Sequence, residues 1–200
     1  MSNKRSHHAF SGVSSELIAL AGTRIMRGAL NSCERYSVDL NKWGKLPNLN
    51  TSRISPGSVV LRSMRAFCFC GANYYRKQFN SIESIQLNES KLKWRTLPLN
   101  EKIAQISKVM AVDVGTGIYV FGGRKYGYMY KLNEEGELVA DLSESRLIPF
   151  KKERYETVYI RYETQINAVV HSGDIYAIEL YDGSYRVKKF DWREWSLLYS

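Results

Sequence analysis

A five-residue signature, Trp-x-x-Leu-Pro, occurs twice in this chain, as Trp43-Gly44-Lys45-Leu46-Pro47 and as Trp94-Arg95-Thr96-Leu97-Pro98. Each copy lies downstream of a short apolar stretch that ends in glycine, Leu17 to Gly22 and Ala66 to Gly71. Recurrence at roughly 50 residues means that one supersecondary unit has been duplicated, and such units bury their apolar faces by stacking on one another. The repeat therefore constrains the architecture before any other feature does. It leaves the ligand open.

The third unit is the clearest. Val109 to Val112 is an apolar run, Gly115-Thr116-Gly117 a turn, and Ile118 to Phe121 a second run that stops at Gly122-Gly123. Tyr128 to Leu132 follows, then the turn Asn133 to Gly136, then a short segment at Leu138-Val139. Four short β-rich runs separated by turn signals predict a four-stranded antiparallel meander. No stretch carries the 3.6-residue apolar period of a helix over ten or more positions. The second unit superposes on this template through Val59 to Leu61, Ala66 to Gly71, Ile82 to Leu87 and Trp94 to Pro98. The first does so through Leu17 to Gly22, Glu34 to Tyr36 and Trp43 to Pro47, with Arg5 to Phe10 as its opening strand. The fourth has Ile166 to Val170, Ile175 to Ile178, Val187 to Phe190 and Trp195 to Leu198, but Glu179-Leu180 in place of a glycine pair.

Anchor spacing supports the alignment. Third-strand to fourth-strand steps run Tyr36 to Trp43, Ile85 to Trp94, Tyr130 to Val139 and Phe190 to Trp195, and these intervals differ in steps of two. Strand side chains alternate faces, so even increments keep the anchor on the buried side.

Taken together, the apolar strand, Tyr119-Val120-Phe121-Gly122-Gly123, the Tyr36-to-Trp43 spacing and Trp-x-x-Leu-Pro resemble the kelch repeat. The resemblance covers nearly the whole chain and departs at Val139, where the pattern has tryptophan, and in unit four, which lacks the diglycine. It implies an all-β fold, a β-propeller of four kelch-like four-stranded antiparallel blades, complete or part of a larger propeller. Residues 1–200 then form one domain with repeats at 5–50, 53–100, 105–142 and 163–200, and an inter-blade loop at 143–162. The glycines permit a sharp turn after the second strand, and the tryptophan offers a large surface to wedge between blades. These are scaffold duties.

Composition narrows the class further. No apolar run is long enough to cross a bilayer, and no charged-then-apolar leader suggests export. Cys33, Cys68 and Cys70 lack metal-ligand spacing and are expected as reduced core thiols of a cytoplasmic protein, with Cys68 and Cys70 on one face of a strand. His7, His8 and His171 are the only histidines, too few and too scattered for a copper site or a Ser-His-Asp or Cys-His constellation. No cofactor or metal is expected, and no enzymatic activity. Asp113 to Gly117 lacks the lysine and following helix of a phosphate loop and is expected as a turn.

The net charge of +9 becomes informative once strands are placed. In an antiparallel blade, successive loops alternate between the two rims. The rim carrying the second-to-third-strand loops and the blade connections gathers sixteen Lys and Arg, Arg5 and Arg53 among them, against six acids, about +10; the opposite rim comes to about −2. The candidate partner-binding residues are Arg24, Arg27, Tyr74, Tyr75, Arg76, Lys77, Arg124, Lys125 and Tyr126, all in second-to-third-strand loops. Arginine pairs with carboxylates in a fork and tyrosine adds contact area at low entropic cost, which suits an acidic protein segment. The expected function is a non-catalytic protein–protein interaction scaffold. The alternatives are nucleic-acid binding through the same basic rim, with tyrosines stacking on bases, and a substrate-receptor role in a ubiquitin-ligase adaptor, although no BTB-like or F-box-like segment accompanies the repeats.

Overall fold

The computed structural model describes residues 1, 4–24, 28–75, 77–98, 103, 109–122, 128–142, 166–172, 174–181, 184–190 and 195–199. The chain is all-β and forms a β-propeller of four four-stranded antiparallel sheets. Blade one contains β1 (Ala9–Val13), β2 (Glu16–Leu20), β5 (Cys33–Ser37) and β6 (Lys42–Leu46), with a two-stranded ribbon, β3 (Thr23–Arg24) and β4 (Gly28–Ala29), rising from its second-to-third-strand loop. Blade two contains β7 (Gly57–Val60), β8 (Arg65–Phe69), β9 (Ile82–Gln86) and β10 (Arg95–Leu97). Blade three contains β11 (Met110–Asp113), β12 (Ile118–Gly122), β13 (Tyr128–Leu132) and β14 (Leu138–Asp141). Blade four contains β15 (Ile166–His171), β16 (Asp174–Tyr181), β17 (Ser184–Phe190) and β18 (Trp195–Tyr199). First strands of consecutive blades are neighbours, β1 beside β7, β7 beside β11 and β11 beside β15. The opening strand lies a few residues later than the sequence suggests, because Arg5 and Ser6 belong to the segment entering the blade; Ser6 pairs instead with Thr23. The expected inter-blade loop at 143–162 lies outside the described residues.

Burial explains why some strands read as alternating and others as continuous apolar runs. β8 and β12 lie between two neighbouring blades, so both faces are covered and Ala66 to Phe69 and Ile118 to Gly122 are buried throughout. Three apolar layers result. Ile18, Leu20, Cys33, Val60, Ala66, Cys68, Ile85 and Trp94 fill the layer between blades one and two. Phe67, Phe69, Ile82, Ile118, Val120, Tyr130 and Leu132 fill the next. Val112, Tyr119, Phe121, Met129, Ile175 and Phe190 fill the third. Trp94 does the wedging expected of it: its ring is enclosed in the first layer, and its indole N–H donates to the carbonyl of Pro47 in the preceding blade at 2.9 Å.

Two details depart from the sequence expectation. Val139 is not the fourth-strand anchor of blade three. A bulge between Lys131 and Leu132 pairs Leu132 with Leu138, so Leu138 packs against the second layer and Val139 turns to solvent. Cys68 and Cys70 do not share a face either. Cys70 lies beyond the end of β8 at φ 51°, which breaks strict alternation, so Cys68 enters the first layer and Cys70 the second.

The first two blades also share a buried ion-paired clasp. Arg5 donates to the carbonyls of Ala21 and Ser32, to the Ser32 hydroxyl, and to Glu34 at 2.7 Å. Arg53 repeats the set one blade later, donating to the carbonyls of Cys70 and Ser81, to the Ser81 hydroxyl, and to Glu83 at 2.6 Å. All four charged side chains are enclosed. Gly22 and Gly71 make the approach possible. They adopt φ 98° and φ 87°, and a β-carbon on Gly22 would come within 2.6 Å of the Ser6 carbonyl, one on Gly71 within 3.0 Å of the Ile54 carbonyl. The arginine-bearing segment thus crosses directly over the glycine turn.

Removing one partner leaves a buried charge without compensation, a loss of about 3–5 kcal/mol. Glu83→Ala is therefore expected to lower the urea midpoint by that equivalent. The double variant Arg53→Met with Glu83→Leu should recover a large part of it, and equal losses in the single and double variants would show that the pairing itself is immaterial.

Candidate functional site

The alternation of an antiparallel meander places the second-to-third-strand loops on one rim, together with the segments that join blades. Within this set, the loop of blade two is the most fully described. Its base is fixed by backbone pairing of Ala72 with Ile54 and by the Phe79 N–H donating to the Gly71 carbonyl at 2.8 Å. Its neck is closed by Asn73, whose N–H donates to the Lys77 carbonyl at 2.9 Å and whose side-chain oxygen accepts from the Lys77 N–H at 2.9 Å. Five residues so tied leave their tip nowhere to fold back. Tyr74 and Tyr75 are 66 % and 86 % exposed, with their rings edge to face at 5.9 Å. Lys77 and Gln78 are exposed beside them.

The clasp reaches this loop. The Arg53 guanidinium lies 5.7 Å from the centre of the Phe79 ring, a cation–π arrangement at the foot of the tyrosine loop. Rigid support below and large aromatic area above would keep the ordering cost of any docking at this loop low.

Of the residues singled out from sequence, Tyr74, Tyr75 and Lys77 come together in one loop. Arg24 is exposed on the β3–β4 ribbon of blade one, on the same rim. Arg27, Arg76, Arg124, Lys125 and Tyr126 lie outside the described residues. Arg5 and Arg53 leave the rim altogether, because both side chains are enclosed and paired with acids. The basic character of this rim is correspondingly smaller than the sequence count of about +10. Sequence reasoning placed them by loop position alone and missed the acids waiting for them. The signal was present: Ser32-Cys33-Glu34 and Ser81-Ile82-Glu83 repeat the same Ser-x-Glu at the start of each third strand.

Other candidates resolve into scaffold. Asp113 to Gly117 is the β11–β12 hairpin turn, with the Gly115 N–H donating to the Asp113 carboxylate at 2.8 Å. Burial pushes the Cys33 thiol up to about 12 and the Cys70 thiol up to about 11, which keeps both protonated and unreactive. Among the described residues no group of three or more His, Cys, Asp and Glu is arranged to hold a metal ion, and no helix is long and apolar enough to cross a membrane. His7 lies in the segment that enters blade one, where its carbonyl accepts from the Ser55 N–H at 2.8 Å. Compared with known protein families and with curated proteins, the sequence matches none.

His8 has a titration consequence. Burial first, and the positive charge of Arg5 second, hold its pKa below the ordinary 6.5. The unfolded chain therefore takes up a proton near pH 6.5 that the folded chain refuses, so stability is full above that pH and declines as pH falls through it. Urea midpoints should drop between pH 7.5 and pH 5.5 in the native chain and drop less in His8→Gln. Parallel declines in both would assign the acid sensitivity elsewhere.

Proposed function

We propose that this protein is a kelch-type propeller that acts as a non-catalytic docking module and uses the Tyr74–Tyr75 loop, with Lys77 and Arg24, to bind an acidic segment of a partner protein. The observation that carries the reading is the pair of adjacent tyrosines held out at the tip of a hydrogen-bonded loop. Rings this exposed contribute little to folding, whereas on binding they offer large contact area for few rotamers. Lys77 and Arg24 add charge at the same rim, where carboxylates of a partner would be steered and paired. The kelch label is supported by the shared glycine turns at Ala21-Gly22 and Cys70-Gly71 and by the wedged Trp94.

The test is direct titration with fluorescein-labelled Asp/Glu-rich peptides and, in parallel, with single-stranded oligonucleotides. Tyr74→Ser with Tyr75→Ser should weaken peptide binding about tenfold or more, the loss of a typical aromatic anchor. Lys77→Glu should weaken it further, and Lys91→Glu on the opposite rim should leave it unchanged. Peptide binding indifferent to the tyrosines overturns the reading. Preferred oligonucleotide binding with a steep salt dependence would transfer the rim to nucleic acid.

A further inference from the structure

A second surface, independent of the tyrosine loop, is defined by comparing the blades with one another. Each blade has a leading face, turned toward the preceding position in the series, and a trailing face, turned toward the following one; between consecutive blades the two pack on each other. Strand register aligns the leading faces residue by residue. Leu17, Ala66, Ile118 and Ile175 share one second-strand position, and Tyr36, Ile85, Leu132 and Phe190 share the opposing third-strand position. Ala66, Ile118, Ile175, Ile85, Leu132 and Phe190 are all buried. Leu17 and Tyr36 are only half-buried, and on the same face Phe10 of β1, which pairs with the buried Ala19, is 53 % exposed.

Trp43 completes the comparison. It pairs with Tyr36 as the fourth-strand anchor, its ring 5.3 Å from the tyrosine ring, at the position from which Trp94 of blade two wedges into blade one. Blade one therefore presents the complete apparatus for seating on a preceding blade.

The trailing face at the other end is just as specific. Val112, Tyr119 and Lys131 lie side by side across blade three, with the Lys131 ammonium 5.7 Å from the Tyr119 ring centre. Val169, Tyr176 and Lys189 reproduce this row in blade four, with the ammonium 6.0 Å from the ring centre. Blade four covers the first row, so Val112 is 5 % exposed; Val169, at the same position of the second row, is 52 % exposed.

We infer that the leading face of blade one and the trailing face of blade four are the two halves of one blade-to-blade interface, and that the occupant of each is a second copy of this chain. Every other leading face in the molecule is seated on a trailing face of this chain, so a second copy supplies a counterpart of the required kind. Reciprocal docking, blade four of each copy on blade one of the other, joins eight blades, within the range propellers adopt. It also closes with two-fold symmetry and leaves no face open, which stops growth at a dimer.

Analytical ultracentrifugation of the 200-residue chain at micromolar concentration should give twice the 23.1 kDa chain mass. Phe10→Glu and Val169→Glu, both at exposed positions and so compatible with folding, should each give monomers with unchanged circular dichroism. An equimolar mixture of the two variants retains one intact pair of faces and should regain dimers. Tyr74→Ser with Tyr75→Ser should remain dimeric, so failure of the rim reading and failure of this one are distinguishable. A monomeric native chain, with the faces closed on each other or held for another protein, overturns the inference, as does a dimer indifferent to both substitutions.

Discussion

The buried pairing of Arg53 with Glu83, and of Arg5 with Glu34, is the constraint on which the first half of the propeller depends. Its role lies in placement more than in net stability. A buried ion pair recovers from its attraction little more than its desolvation cost, and well-packed apolar groups can do as well. Blade three makes this point within the same chain. Tyr130 takes the register position of Glu34 and Glu83 and lies in an apolar layer with Ile103 and Val120. What the clasp adds is directionality. The backbone of Arg53 is hydrogen-bonded to Gly22 and Leu30 of blade one, while its side chain is bonded to Cys70, Ser81 and Glu83 of blade two. One residue thus fixes how far the chain advances between blades, and Glu83 holds the same crossing from the other side by accepting from the N–H groups of Asn50 and Thr51.

That fixed crossing carries through to the rim. The segment bearing Arg53 passes over Gly71, pairs at Ile54 with Ala72, and so sets the foot of the loop that lifts Tyr74 and Tyr75. The order of dependence is therefore clasp, glycine turn, loop neck, exposed rings. A charge buried for placement is also a charge withdrawn from the surface, which is why the basic rim is less basic than its sequence.

The fold was legible because propeller blades obey two local rules that survive in one sequence. Strands covered on both sides read as unbroken apolar runs, as in Ala66 to Phe69, and the turns between them carry Gly, Asn and Asp. Tryptophan at a register position repeated about every 50 residues then fixed the unit. Two of the misreadings share a cause: both depended on where a backbone departs from the regular period. A bulge at Lys131 moved the anchor from Val139 to Leu138, and a left-handed Cys70 sent its side chain to the opposite layer. Arg5 and Arg53 failed for a different reason. A cation in a connecting segment is normally solvated, and only the recurrence of Ser-x-Glu at the facing strand shows that these two have partners.

The terminal blades follow from the same logic of equivalence. A repeat protein writes each interface several times, so a face that is open at one end can be judged by the fate of its copies. Where a surface strip is apolar by accident, its equivalents elsewhere are not buried; here every equivalent of Leu17 and Tyr36 is, and Val169 repeats the covered Val112. The half-exposed aromatic strip of blade one therefore differs in kind from the exposed tyrosines of the rim. Leu17 and Tyr36 have buried homologues within the chain and a geometry already proven by them, whereas Tyr74 and Tyr75 stand at the exposed tip of a loop. On the inference drawn above, apolar surface of the first kind would be completed by another blade, whereas surface of the second kind would suit a partner of different shape.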